Sequence, residues 1–150
     1  MNPTAMPSTD LPNDHTLSTL QEGTVAEHRY RISEAIWRAF TDLFEDRSPV
    51  HVDATHARAA GFEDRVMHGA ILNGFVSHFV GMVMPGRRSL LLTVDMRYLT
   101  PSYLGDEILL RGEVTQRVES QSVVVMTLTL ENVTRGRTAG RARAQVKVSP

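Results

Sequence analysis

The order of patterns along the chain predicts a single α+β domain, an antiparallel sheet curled around one long apolar helix. Three observations lead there. Residues 24–44 read as a strand followed by an amphipathic helix, residues 69–84 are apolar on most sides, and residues 89–148 alternate with period two. A helix that is apolar nearly all round demands burial. Strands with one apolar face need something to cover that face. Each element answers the need of the other.

The first strand is placed at residues 24–32, with Ala26, Tyr30 and Ile32 on one face. Ser33 is a natural N-cap, and Glu34 suits the positive end of the helix it opens. Ile36, Trp37, Phe40, Leu43 and Phe44 then recur at helical spacing. That helix should stop near Phe44, because Pro49 disfavours helical geometry in the residue before it. Asp53 is a second N-cap, for a short helix ending at Gly61. After a polar loop at Glu63-Asp64-Arg65, His68-Gly69 opens the long helix, which runs through Met84 to Pro85-Gly86.

The remaining segments alternate. In 89–99, Leu90, Leu92, Val94, Met96 and Tyr98 are expected on the buried face. In 106–118 the buried set is Ile108, Leu110 and Val114. In 122–133 it is Val124, Met126, Leu128 and Leu130, and in 138–148 it is Ala142, Ala144, Val146 and Val148. Gly105-Asp106 and Arg135-Gly136 supply turns. A sheet this short leaves open edges, so at least a homodimer is expected.

Length and charge narrow the class. A chain of 150 residues suits one core. The net charge of −1 gives no field to recruit nucleic acid or an anionic membrane. There is no cysteine, which removes disulfides, zinc–thiolate sites and thiol nucleophiles and is compatible with a cytoplasmic protein. Residues 1–20 are rich in Pro, Ser, Thr, Asn and Asp and lack an apolar signal segment, so they are read as a flexible tail preceding a domain over 21–150. Asn73 and His78 interrupt the most apolar run, which is also shorter than the roughly 20 residues a membrane span needs.

Two segments carry chemistry. The first is Asp46-Arg47-Ser48-Pro49-Val50-His51. A carboxylate and an imidazole on either side of a proline-stiffened turn can converge on one water, as a base and an acid working near neutral pH. The same residues can equally be a cap and an incidental histidine. The second is Val66-Met67-His68-Gly69-Ala70. The first N–H groups of a helix lack internal partners and sit at the positive end of its dipole, where an oxyanion can be held. Gly69 adds no side chain to block a carbonyl, although it can also merely relieve crowding. The six histidines form no metal-ligand spacing, and no H-E-x-x-H, Walker loop or G-x-S-x-G is present. His15, His28, His56 and His78 read as surface or core residues. Arg87-Arg88 reads as a basic turn that could also meet a phosphate of coenzyme A.

At these segments the sequence resembles the (R)-specific enoyl-CoA hydratases, the MaoC-like branch of the hot-dog superfamily. Phe40, Asp46, Pro49, Val50, His51 and Asp53, then Val66, His68 and Gly69, stand in that family's order. Tyr98-Leu99-Thr100-Pro101 and Gly105-Asp106-Glu107 extend the match. The resemblance implies a hot-dog domain that adds water to trans-2-enoyl thioesters, or removes it from (R)-3-hydroxyacyl thioesters, with neither cofactor nor metal. It implies Asp46, His51 and Gly69 as catalytic residues, and Ser48, Val66, His68 and Ala70 as substrate-binding ones. Coenzyme A or an acyl carrier protein would hold the acyl group.

Two positions depart from the family pattern. Glu45 stands where the family has glycine, and Ser48 where it has asparagine; serine is expected still to cap the turn. Two other readings of the fold are a hot-dog thioesterase and a non-catalytic acyl-binding subunit. Thioesterases of this fold often carry a carboxylate on the central helix, and Gly69 to Met84 contains none.

Overall fold

The computed structural model describes residues 10–150. Its first element is β1 (Val25–Arg31). Ser33 follows as an N-cap, its Oγ accepting the Ile36 N–H at 3.2 Å, and opens α1 (Glu34–Phe44). Where one short helix was expected there are two. They are α2 (Pro49–Val52) and α3 (Ala54–Ala59), joined at Asp53, whose carboxylate accepts the N–H groups of Thr55 at 2.9 Å and His56 at 3.1 Å. The split falls at Asp53, whose extended backbone ends α2 while its side chain caps α3, and the additional helix starts at the proline. Pro49 occupies the first turn of a helix, where its missing N–H costs nothing.

The central helix α4 (Ala70–His78) continues as a π-helical turn over Phe79–Val83. Its buried side is the expected one, with Ile71, Leu72, Phe75, Val76, Phe79 and Val80 all in the core. Gly74, Ser77 and His78 are exposed, so the helix is covered on its sheet side and not all round.

Four strands follow, β2 (Ser89–Tyr98), β3 (Glu107–Val118), β4 (Val123–Asn132) and β5 (Arg137–Val148). All pairings are antiparallel, in the order β1-β3-β4-β5-β2. This five-stranded sheet against one central helix is the hot-dog fold. The buried faces of β3, β4 and β5 are those expected from alternation. Helix and sheet approach closely at Gly112, where a Cβ would lie 2.6 Å from the Phe79 ring. Each Phe, Leu or Val buried in this layer contributes about 1.5–3 kcal/mol.

β2 corrects the sequence reading. Opposite β5 the register shifts between Leu91 and Thr93, a bulge that sets Leu92 out of step. The strand therefore changes phase. Leu91, Val94 and Met96 pack on the core, while Leu90 and Leu92 are 61% and 47% exposed. Simple alternation had put Leu90 and Leu92 inside.

Of the expected flexible tail, residues 1–9 lie outside the described residues. Residues 10–20 form a strap in place of a loose segment. The Asn13 N–H donates to Met82 O at 2.9 Å, Asn13 Nδ2 to Val83 O at 2.9 Å, and the His15 N–H to Pro85 O at 3.1 Å. These bonds satisfy carbonyls at the end of the central helix that lack partners within it. Arg88 pairs with Asp14, so half of the basic turn is held by the strap, and Leu20 is fully buried.

Candidate active site

The site lies where the loop between α1 and α2 meets the start of α4. Trp37 on α1 reaches across to α2, its Nε1–H donating to His51 O at 3.2 Å. The His51 ring is fixed by its own side chain, with Nδ1 2.7 Å from Val66 O. A carbonyl only accepts, so Nδ1 carries the proton and Nε2 is left with its lone pair.

Asp46 stands on the loop after α1, its side chain 46% exposed. Its Oδ1 accepts the Ser48 N–H at 3.2 Å, and its Oδ2 lies 3.9 Å from His68 Nε2. His68 is 3% exposed and lies between Phe40 and His51, with ring centroids 4.8 Å and 4.1 Å away. Its Nε2 donates to Asp46 O at 2.9 Å, and its Nδ1 is buried without a partner.

Beside these groups opens a cavity of about 540 Å³, lined by His51, Val66, His68, Gly69 and Ala70 on one side and by Ile32, Leu72, Tyr98 and 99–102 on the other. The Gly69 N–H has no acceptor among the described residues. It is therefore an open donor at the positive end of α4. Tyr98 bounds the approach to it. A Cβ on Gly69 would meet the Tyr98 ring at 3.1 Å, and Tyr98 Oη donates to Asn73 Oδ1 at 2.6 Å.

The expected site residues thus divide. His51, Val66, His68, Gly69 and Ala70 line the cavity, whereas Asp46 and Ser48 do not. Asp46 approaches the two histidines from the loop after α1, with a carboxylate oxygen within 4.8 Å of a ring nitrogen of each, and Ser48 serves it through its backbone N–H. Contrary to expectation, the Ser48 side chain makes no capping bond. Glu45, the other departure, ends α1 in the left-handed conformation at φ 55°. The family's glycine at this place has a backbone reason. Glu45 itself is exposed. Trp37, Tyr98 and Ser102, which accepts the Met67 N–H at 2.9 Å, were not anticipated. The single tryptophan and the tyrosine of the Tyr98-Leu99-Thr100-Pro101 segment were the available signals.

No metal-ligand spacing is visible in the sequence, yet the fold brings one donor atom each of Asp46, His51 and His68 within 4.8 Å of one another. Two histidines and a carboxylate are ligands zinc accepts. As arranged they fit an ion poorly, because His68 Nε2, the nitrogen that faces the Asp46 carboxylate, is a donor committed to Asp46 O, and the three donor atoms spread over up to 4.8 Å where ligands at about 2 Å from one ion sit closer together. They suit a water held by hydrogen bonds. The remaining histidines lie elsewhere: His28 and His78 gather around Tyr30, and His56 is exposed on α3.

Fold and site together define a hot-dog protein with a carboxylate and two imidazoles gathered at the start of its central helix. Residues 15–135 match the family described as MaoC like domain, and the chain belongs to that family. It is 32% identical over 109 residues to an (R)-specific enoyl-CoA hydratase of Aeromonas caviae, covering 73% of this chain and 81% of that one. It is 30% identical over 90 residues to a mitochondrial 3-hydroxyacyl-[acyl-carrier-protein] dehydratase of Arabidopsis thaliana, spanning 60% of this chain and about half (53%) of that one. Among solved structures it is similar to the unliganded R-hydratase PhaJ1 from Pseudomonas aeruginosa. That match has a TM-score of 0.84 and 26% identity, covering 91% of this chain and 87% of that chain. The A. caviae (R)-hydratase involved in PHA biosynthesis matches with a TM-score of 0.81 and 30% identity, over 87% of this chain and 98% of that one.

Proposed function

We propose that this protein is a hydro-lyase that hydrates trans-2-enoyl thioesters and dehydrates (R)-3-hydroxyacyl thioesters. The observation that carries the reading is the convergence of the Asp46 carboxylate, the free Nε2 of His51 and the open Gly69 N–H beside one largely apolar cavity.

The acyl chain lies against Ile32, Met67 and Leu72, and its thioester oxygen accepts the Gly69 N–H. That donor sits where charge develops as the enolate forms, and it helps the transition state more than the ground state. Asp46 and His51 Nε2 are both acceptors, so together they take the two hydrogens of one water and turn its lone pair toward the β-carbon. The C–O bond forms there, one of the pair receives the water's proton, and that proton is passed on to the α-carbon as the enolate collapses, leaving both groups as they began. Dehydration runs the same steps backward. All the groups used belong to the chain itself, and no cofactor enters.

The (R) stereochemistry follows the named relatives. Their names also include both carriers of the acyl group, coenzyme A and acyl carrier protein. The working unit is a homodimer or higher homo-oligomer, since β2 leaves a sheet edge with exposed Leu90 and Leu92. Among the described residues no helix is long and apolar enough to cross a membrane, and the reading places the reaction in the cytoplasm.

Crotonyl-CoA tests the function directly. Loss of enoyl absorbance without thiol release is the expected result. Thiol release would make the protein a thioesterase, and no change with any enoyl thioester would leave a binding subunit.

A further inference from the structure

We propose that His68 is a positioning residue that sets the distance between the two halves of the site, the loop holding Asp46 and the helix start offering the Gly69 N–H. The inference rests on the hydratase reading above and gives His68 a role other than substrate contact.

His68 directly precedes Gly69, so its backbone is part of the helix start. Its side chain reaches 22 residues back along the chain, where Nε2 donates to Asp46 O at 2.9 Å. A carbonyl fixes the tautomer, because only a protonated Nε2 can make this bond. The ring has little freedom: it is 3% exposed and held between Phe40 and His51. Its Nδ1 is shut off from solvent with no partner. A buried acceptor left unpaired is costly. A histidine kept merely for packing could be replaced by an apolar side chain without that cost, so the bond made by Nε2 is the reason for the imidazole. Asp46 needs such a tether. It follows the left-handed Glu45 on an exposed loop, and its carboxylate is otherwise steadied only by the Ser48 N–H.

The same short segment holds the other partner. Val66 O orients His51 and His68 Nε2 orients Asp46, while the Gly69 N–H awaits the thioester. The segment is itself pinned by the Val66 N–H to Val50 O at 3.0 Å and the Met67 N–H to Ser102 O at 2.9 Å. The three chemical groups are therefore referenced to one stretch of backbone, and the His68 side chain hydrogen-bonds that stretch to the Asp46 loop.

The test compares H68Q, H68N and H68M with the wild-type protein on crotonyl-CoA. Glutamine places its amide near the position of Nε2 and restores the donor. Asparagine places it near Nδ1, and methionine removes it. H68Q should keep kcat within about threefold, while H68N and H68M should lose about 30-fold or more in kcat with KM little changed, because misplacement acts on the reacting geometry and not on binding. An H68M protein with wild-type kcat, or an H68Q protein as slow as H68N, overturns the proposal. If H68M does not fold, the H68Q and H68N pair decides. Histidine ring ¹⁵N spectra provide a readout independent of activity: His68 must be the Nε2–H tautomer, and an Nδ1–H tautomer overturns the proposal by itself. D46N at full rate would sink the hydratase reading instead, and a flat His68 series beside an inactive D46N would sink only the positioning role.

Discussion

His51 Nδ1 lies 2.7 Å from the carbonyl oxygen of Val66, 15 residues further along the chain. This contact gives the half-buried histidine of α2 a defined tautomer. Nδ1–H donates to the carbonyl, and Nε2 keeps a lone pair, which the proposed hydration uses to accept a hydrogen of the water. Removing the imidazole in H51A, or the charge in D46N, should each lower kcat on crotonyl-CoA by about 10²-fold or more, as expected for loss of an acid–base group. Circular dichroism should show both variants folded. Turnover near the wild-type rate by either would remove that residue from the reaction.

Glu45 makes a stability prediction. A side chain in the left-handed region costs about 1 kcal/mol or more relative to glycine, and Glu45 holds φ 55° at the end of α1. Glycine also loses more chain entropy on folding, so E45G should gain about 0.5 kcal/mol and raise Tm by about 1–2 °C. Since Glu45 is exposed, activity should stay near wild type. A lower Tm for E45G would mean that the Glu45 side chain makes a stabilising contact outweighing its backbone cost.

These two residues illustrate what the sequence could and could not convey. Alternation in β3, β4 and β5 marked the helix-facing residues correctly, because over most of their length these central strands keep a period of two, although Val123 and Val125 of β4 are buried as well. In β2 the extra residue at Leu92 breaks that period, and a bulge leaves no composition signal when its neighbours are all leucines. Asp46 and His51 stand close enough in sequence for their motif to be read. The contacts that orient them, Val66 O and His68 Nε2, come from another element and arise only on folding. Likewise nothing in the polar composition of residues 10–20 indicates that Asn13 meets the end of the central helix.

His78 predicts a pH dependence of stability. Partial desolvation of its ring among Tyr30 and His28, although His78 as a residue is exposed, holds its pKa below the usual 6.5, the charge of His28 adds to the effect, and Asp10 opposes it. The neutral ring meets the phenol of Tyr30 at 2.9 Å through Nδ1, and burial in turn pushes the Tyr30 phenol upward. The sign follows. Above pH 6.5 the ring is neutral whether the chain is folded or unfolded. Below it the unfolded chain takes up the proton more readily, so stability falls as the pH drops. Tm measured from pH 7.5 to 5.5 should therefore decline less steeply in H78Q than in wild type. Equal slopes would show that His78 does not contribute to the decline.

The exposed edge of β2 makes the assembly testable. Leu90 and Leu92 are 61% and 47% exposed beside unpaired backbone of an edge strand. Such an edge is suited to pairing with another copy. Sedimentation at micromolar concentration should give a dimer or larger species, and L90E/L92E should shift it toward monomer. A wild-type protein that sediments only as a folded monomer would contradict the homodimer.

The last prediction concerns Gly69 and Tyr98. On sequence grounds alanine at position 69 is a mild change, since it favours helix by up to about 1 kcal/mol over glycine. The structure alters that expectation, because the new methyl would press on the Tyr98 ring at 3.1 Å. Tyr98 cannot retreat freely while its Oη donates to Asn73 Oδ1 at 2.6 Å. G69A should therefore reduce kcat/KM by crowding the thioester approach, even though the backbone N–H remains. The double variant G69A/Y98L separates the two effects, since leucine lacks the far edge of the ring and the bond to Asn73. If steric pressure through Tyr98 is the cause, the double variant should recover much of the loss measured against Y98L alone. If kcat/KM stays equally depressed, the methyl obstructs the oxyanion position directly. A G69A protein with undiminished kcat/KM would take the oxyanion role away from Gly69, leaving Ala70 as the next N–H on the same helix start.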